Sequence, residues 1–285
     1  MHIYDAAGKH FQIPHHVLPF PPDGRSTDCD MHFEYTSHPF AFWVSRKSTR
    51  DIIFDIRSSS IPLHKEDLTM DHLAEPATHG TAMHCHPLVF SDQYLQLSTA
   101  LPSDANVYGL GEYVGPLRRK EEVQTMWNMD NVAKRGNNMY GSHPFYMETR
   151  WRSGTSCNET PTSQPPTSAS HGVFMRNSHG MDVLVRDGVL QYKILGGTLD
   201  LYFVSGPSPH DVVRQYSEIV GRPARIPDWA FRFHLSRWGG TFATPEGVLE
   251  VVKKMKEAEI PLETVWSDLD YMDRKRNFEV SADFE

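Results

Sequence analysis

The stretch Ala230–Asp270, "AFRFHLSRWGGTFATPEGVLEVVKKMKEAEIPLETVWSDLD", changes its hydrophobic period twice. "AFRFHLSRWGG" is a strand-like run that closes on glycines. A helix then opens at Thr244-Pro245, a capping residue followed by a proline at the first helical position, and carries Val248, Leu249, Val252, Met255 and Ile260. "LETVWSDLD" returns to a strand pattern. Strand, helix and strand within about forty residues predict a βαβ unit, whose two strands must pair in parallel because the helix carries the chain back.

Active sites of open α/β sheets and (β/α)8 barrels sit at the C-terminal ends of the strands. Here those ends carry Trp238 and the run Trp266–Asp273, "WSDLDYMD", which holds three carboxylates and two aromatic side chains. If the strand continues past Trp266, period-two alternation puts Asp268 and Asp270 on one face. Taken alone, Asp268 serves equally well as a cap of a following helix. Asp270 and Asp273 have Arg274, Lys275 and Arg276 as nearby ion-pair partners, and a tryptophan at a strand end suits a core as well as a ligand platform.

The first two thirds of the chain read differently. "HFEYTSHPFAFWVSR", "RDIIFDIR", "QYLQLSTAL" and "GMDVLVRDGVLQYKIL" alternate apolar and polar residues between turn residues, which predicts an antiparallel β-sandwich. "RSGTSCNETPTSQPPTSAS", Arg152 to Ser170, has almost nothing to bury and reads as a mobile loop between strands. The run "YGLGE", Tyr108 to Glu112, reads as a strand and tight turn whose glycines allow positive φ, with no chemistry assigned to it. In "GPSPHDVVRQYSEIVGRP", Ser208 is an N-cap, Pro209 is the first helical residue and Asp211 stands at capping-box spacing. Gly221 and Pro223 end the helix, whose apolar face is Val212, Val213, Tyr216, Ile219 and Val220.

The 285 residues suffice for one large or two ordinary domains, and 39% apolar residues argue against disorder. A net charge of −8 gives no electrostatic footprint for nucleic acid or an anionic membrane, so a neutral, sugar-like ligand fits better. No apolar run reaches the roughly 18 residues of a membrane span, and "MHIYDAAGKHF" lacks the apolar core of a secretory signal. Cys29, Cys85 and Cys157 are too few and scattered for a disulfide framework. His84-Cys85-His86, with His79 and the His15-His16 pair, forms a rival metal site, but the spacing matches no zinc pattern and no metal is assigned.

The segments "FSDQYLQLSTALP", "VYGLGE", "MWNMD", "MYGSHPFYMETR", "HGVFMRNSHGMDVLV", "GGTLDLYFVSGPSPHDVVRQYSEIVGRPARIPDW", "FHLSRW" and "IPLETVWSDLDYMDRKRNF" run in the order found in glycoside hydrolase family 31, the family of α-glucosidases and α-xylosidases. The chain resembles the N-terminal part of such an enzyme from Phe90 to Phe278. The resemblance implies a mainly β fold: a mutarotase-like β-sandwich over residues 1–222, then, over 223–285, the first βα units of an incomplete (β/α)8 barrel. It implies that Asp268, with Leu269 beside it, binds hydroxyls of the sugar at the cleavage subsite, that Trp238 lines that subsite, and that Asp130 reaches toward the leaving-group sugar. It implies an oligosaccharide or α-glucoside substrate and no cofactor. Members are often secreted or found in the lysosome or vacuole, which leaves the compartment open.

A retaining glycosidase needs two carboxyl groups about 5–5.5 Å apart. In the family the nucleophile lies in a W-x-D-M-N-E type motif, with the acid/base aspartate later still, and neither occurs here. Two βα units also cannot close an eight-stranded barrel. The chain is therefore expected to be a truncated α-glucosidase-type hydrolase with no catalytic residue of its own, inactive alone. The alternatives are a non-catalytic carbohydrate-binding protein and, within the family, an α-xylosidase. Arg232 and Gly240 stand where the family usually has glycine and an aromatic, and "RNFE" replaces the more usual "RDFT".

Overall fold

Alternation of apolar and polar side chains yields sixteen strands, numbered in chain order, among residues 1–18, 29–62, 87–130, 132–152 and 167–285, which the computed structural model describes. A six-stranded sheet has the order β1 (His2–Ile3), β14 (Leu199–Val204), β11 (Thr167–Met175), β10 (Phe145–Arg152), β7 (Asn106–Gly109) and β8 (Arg118–Arg119). A five-stranded sheet has the order β5 (Leu88–Ser91), β6 (Tyr94–Ala100), β13 (Val189–Ile194), β12 (Met181–Arg186) and β9 (Glu122–Met126). A three-stranded sheet joins β2 (Met31–Ser37), β3 (Phe40–Arg46) and β4 (Ile52–Asp55). β15 (Phe233–Ser236) and β16 (Leu262–Trp266) form a separate pair. The chain divides into two compact units, Met1–Arg222 and Pro223–Glu285.

One apolar cluster takes side chains from all three antiparallel sheets of the first unit. Phe42 and Phe54 of the three-stranded sheet, Leu97 and Tyr192 of the five-stranded sheet, and Val107, Tyr146 and Leu201 of the six-stranded sheet are all at most 1% exposed. This is the inner layer of a β-sandwich; each large side chain withdrawn from water stabilises it by roughly 1.5–3 kcal/mol. Gly109 ends β7 at φ 99°, and a Cβ there would meet the Phe145 carbonyl oxygen at 2.5 Å. Of the glycines in "YGLGE", Gly109 has the positive φ; the next positive φ falls on Leu110.

Composition misled at one place. Arg152 belongs to β10 and Thr167–Ser170 to β11, paired in register with Arg152 opposite Thr167 and Thr149 opposite Ser170. The predicted loop is therefore strand at both ends, because ladder hydrogen bonds and neighbouring strands override a polar composition. Its residues 153–166 lie outside the described ones, as do His79, His84, Cys85 and His86.

The helix α1 (Pro209–Val220) carries the full capping box. The Ser208 hydroxyl accepts the Asp211 N–H at 3.1 Å, and the Asp211 carboxylate accepts the Ser208 N–H at 3.4 Å. Val212, Tyr216 and Ile219 pack on Phe145, Phe174 and Val204 of the six-stranded sheet, with the Tyr216 and Phe145 rings stacked at 4.1 Å. Val213 and Val220 stay exposed, so the packed stripe is narrower than the apolar pattern suggests. Ser208→Ala should lower the stability of the first unit by about 1 kcal/mol, read from its urea midpoint, since the cap satisfies an otherwise orphaned helix N–H.

Inside the sandwich, Arg150 binds both oxygens of the fully buried Glu148, Nε to Oε1 at 2.7 Å and Nη2 to Oε2 at 3.0 Å. His171 Nε2 lies 3.3 Å from Glu148, a contact that would favour imidazolium. Burial first, then the charges of Arg150 and Arg46, nevertheless hold His171 well below its ordinary pKa, so it folds neutral. The unfolded chain takes up a proton below about pH 6.5 that the native protein does not, so the unfolded state binds more protons there. Stability should fall as pH drops below about 6.5, by up to about 1.4 kcal/mol per pH unit. Denaturant melts at pH 5 to 7.5 should show that slope, and His171→Gln should flatten it.

Candidate functional site

The second unit is the predicted βαβ. β15 and β16 pair in parallel, Ser236 opposite Trp266, with a register irregularity between Phe233 and His234. The crossover helix α2 (Pro245–Glu257) opens at Thr244, whose hydroxyl accepts the Gly247 N–H at 3.2 Å. Trp238 and Asp268 each stand two residues past the paired ends, so the parallel register brings their backbones to corresponding positions. Trp238 is 64% exposed and therefore no part of this unit's core. Trp266 Nε1–H donates to His234 Nδ1 and His234 Nε2 lies by the Trp229 carbonyl, both at 3.2 Å, which one neutral tautomer satisfies.

The strand stops at Trp266, which corrects the alternation argument for Asp268 and Asp270. Asp268 takes a left-handed φ of 52°, and turn hydrogen bonds follow, Asp270 N–H to Ser267 O at 3.3 Å and Met272 N–H to Leu269 O at 3.2 Å. Asp268 and Leu269 are exposed. The Asp268 carboxylate has no hydrogen-bond or ion-pair partner among the described residues, so it caps no helix. Asp270 turns the other way: its Oδ2 accepts the N–H of Gly239, the residue after Trp238, at 2.6 Å. That short, charge-assisted bond ties the loop after β15 to the loop after β16.

The basic residues that follow are mostly engaged elsewhere. Lys275 Nζ stands 5.6 Å from the centre of the Trp238 ring, Arg276 pairs with Glu279 at 3.1 Å, and Arg274 Nε is 4.0 Å from Asp273. Arg232 pairs with Asp228 at 2.8 Å and Glu263 at 3.5 Å. Gly240 sits at φ 61°, a conformation that an aromatic residue would adopt only with strain.

Asp130 belongs to the first unit, in the loop between β9 and β10. The Tyr140 hydroxyl donates to Asp130 Oδ1 at 2.6 Å. The loop is stitched to Glu112: its carboxylate accepts the Gly141 N–H at 3.0 Å, and its carbonyl accepts the Met139 N–H at 3.2 Å and the amide of buried Asn138 at 3.3 Å. Tyr140 and Glu112, which sequence reasoning did not find, are positioning groups, as is Asp270, for which it gave a shared face with Asp268 and basic partners instead of the bond to Gly239. "YGLGE" and "MYGSHPFY" contain two of them, but no spacing rule links Glu112 to Gly141 or Tyr140 to Asp130.

The first unit offers an exposed carboxylate, Asp130, and the second, by itself, an exposed carboxylate and an exposed indole, Asp268 and Trp238; such groups accept hydrogen bonds from hydroxyls and pack on C–H faces. Among the described residues, no group of three or more His, Cys, Asp or Glu is placed to hold a metal ion, and no helix is long and apolar enough to cross a membrane. The hydrogen bond to Asp130 and its negative charge raise the Tyr140 phenol above its ordinary range. Asp130→Asn should therefore lower the pH at which Tyr140 ionises, seen by NMR titration of ring-labelled tyrosine; an unmoved midpoint would mean that the two groups are not coupled.

Comparison with known proteins follows the same division. Residues 18–156 match the glycosyl hydrolase 31 N-terminal galactose mutarotase-like domain, and residues 223–285 match the glycosyl hydrolases family 31 TIM-barrel domain. A "probable alpha/beta-glucosidase" of Arthroderma benhamiae is 40% identical over 98% of this chain and 29% of its own length. Alpha-xylosidase 1 of Arabidopsis thaliana is 35% identical over 98% of this chain and 28% of its own. The crystal structure of a glucosidase II alpha subunit with Glc1Man2 bound superposes with a TM-score of 0.63 at 17% identity, covering 88% of this chain and 29% of that one, a likeness of fold. The chain thus spans less than a third of the length of these relatives. With an antiparallel sandwich leading into a βαβ unit and both domain models matched in order, it belongs to glycoside hydrolase family 31.

Proposed function

We propose that the chain supplies the substrate-binding part of a retaining α-glucosidase: residues 1–222 as the sandwich domain that carries Asp130, and residues 223–285 as the opening of the catalytic barrel. The observation that carries this reading is the exposed, unpartnered Asp268 carboxylate at the C-terminal end of β16, one strand from exposed Trp238. In this reading Asp268 accepts hydrogen bonds from hydroxyls of the sugar to be released, Trp238 and Leu269 pack on that sugar, and Asp130, aimed by Tyr140, meets the leaving-group sugar of an oligosaccharide. Nucleophile and acid/base come from outside residues 1–285. The α-xylosidase among the relatives supports a second reading, in which the same carboxylate serves a sugar without the hydroxymethyl group.

Two outcomes are expected. The isolated chain should not hydrolyse an aryl α-glucoside above background; turnover abolished by substituting Asp268, Asp130 or Trp238 would show that the catalytic groups lie within it. In a fusion that joins residues 1–285 to the remaining barrel of the Arthroderma benhamiae relative, Asp268→Asn should lower kcat/KM by about 1.5–3 kcal/mol, the worth of hydrogen bonds to a charged group. Asp273→Asn should cost far less. A destabilised but kinetically normal Asp268→Asn enzyme would overturn the substrate-binding role.

A further inference from the structure

Alternation in the three-stranded sheet sorts its side chains to two faces. Phe42, Val44 and Phe54 go to the core. The opposite face sets Glu34 across from Trp43, and His32 and Ile52 across from Ser45. With Arg46, Lys47 and Arg50 from the end of β3 and the turn after it, these residues line a cleft of about 440 Å3, within the size range of small-molecule sites. The proposed catalytic function does not use it.

The cleft is built rather than incidental. Trp43 Nε1–H donates to Glu34 Oε2 at 2.7 Å, and the Arg57 guanidinium lies 4.4 Å from the centre of the indole. Arg57 is itself locked to Asp55, Nη2 to Oδ2 at 2.7 Å, so the indole is held from two sides before any ligand arrives. Arg46 is 3% exposed; it donates to the Ser170 carbonyl and reaches Asp30 only at 3.5 Å. Its charge acts in a low-dielectric setting, where a field is screened less than at the surface. Arg50 is exposed on the turn, its backbone at φ 60° and hydrogen-bonded to Arg46 O at 2.8 Å. Its guanidinium has no partner among the described residues.

Charge and shape together select the ligand. Arg50, exposed and with its guanidinium unpartnered among the described residues, lines the cleft together with one carboxylate, Glu34, a free cation in a chain whose net charge is −8. The indole and Ile52 offer apolar surface to a ring, Glu34 and Ser45 offer hydroxyl partners, and Arg50 offers the planar fork that grips a carboxylate or phosphate. We propose that this cleft binds a saccharide bearing an anionic group, a uronate or a sugar phosphate.

The test titrates the full chain by calorimetry with methyl α-glucuronoside, glucose 6-phosphate, inorganic phosphate and maltose. At least one anionic sugar should bind about tenfold or more tighter than both maltose and inorganic phosphate, as expected for a charge-assisted contact, and should weaken as salt rises. The arm that binds distinguishes carboxylate from phosphate recognition. Arg50→Gln, an exposed change, should weaken that binding about tenfold at unchanged melting temperature; Trp43→Phe, which keeps a ring but loses the hydrogen bond to Glu34, should weaken it about tenfold with a lower melting temperature. Equal binding of maltose, equal binding of phosphate alone, no binding at all, or indifference to Arg50→Gln would each overturn the proposal.

Discussion

Two parallel strands cannot be joined by a tight turn, and the second unit is organised by that constraint. β15 must be followed by a crossover before β16 can lie beside it, and α2 fills that role. The crossover returns the chain to the same end, so the segments leaving both strands emerge as neighbours. Asp270 fixes the arrangement by accepting the Gly239 N–H, which joins two loops that the sequence separates by a whole helix. Trp238 and Asp268 sit in those loops, and their exposure follows from the strand ends rather than from any local signal of their own.

What was legible in the sequence was what local chemistry dictates. The limits of α1 could be read from Ser208, Pro209 and Gly221, since a cap, a proline and a left-handed glycine act within one turn of the helix. The antiparallel sheets were visible in their alternation, and family membership in the order of short motifs. What escaped depends on tertiary contact. The end of β16 at Trp266 rests on the left-handed turn at Asp268, which no period announces. The pairing of Trp151 with Ser168 draws part of a Ser/Thr/Pro-rich stretch into strands. Tyr140 and Glu112 act through bonds to residues at no regular spacing, and Val213 and Val220 match an apolar face that the sheet does not cover.

The sandwich also keeps ions where apolar side chains would fit. Arg176 is 4% exposed, binds Asp200 at 3.0 Å and donates to the carbonyl of Leu18. Replacing such a pair by apolar residues often costs nothing, whereas breaking it strands a charge. Its use here is directional: one guanidinium joins two strand ends to the N-terminal segment, a geometry that nondirectional apolar contact does not impose.

The left-handed backbone at Asp268 narrows what evolution or engineering can place there. Few side chains tolerate φ 52°; glycine, asparagine and aspartate do so most readily, and β-branched residues least. Of those three, only aspartate also brings a negative charge. A glutamate would keep the charge but strain the turn, and a glycine would keep the turn but lose the charge. With the sugar-binding role proposed for Asp268, changes in sugar preference are cheaper to reach through the residues around it than through Asp268 itself.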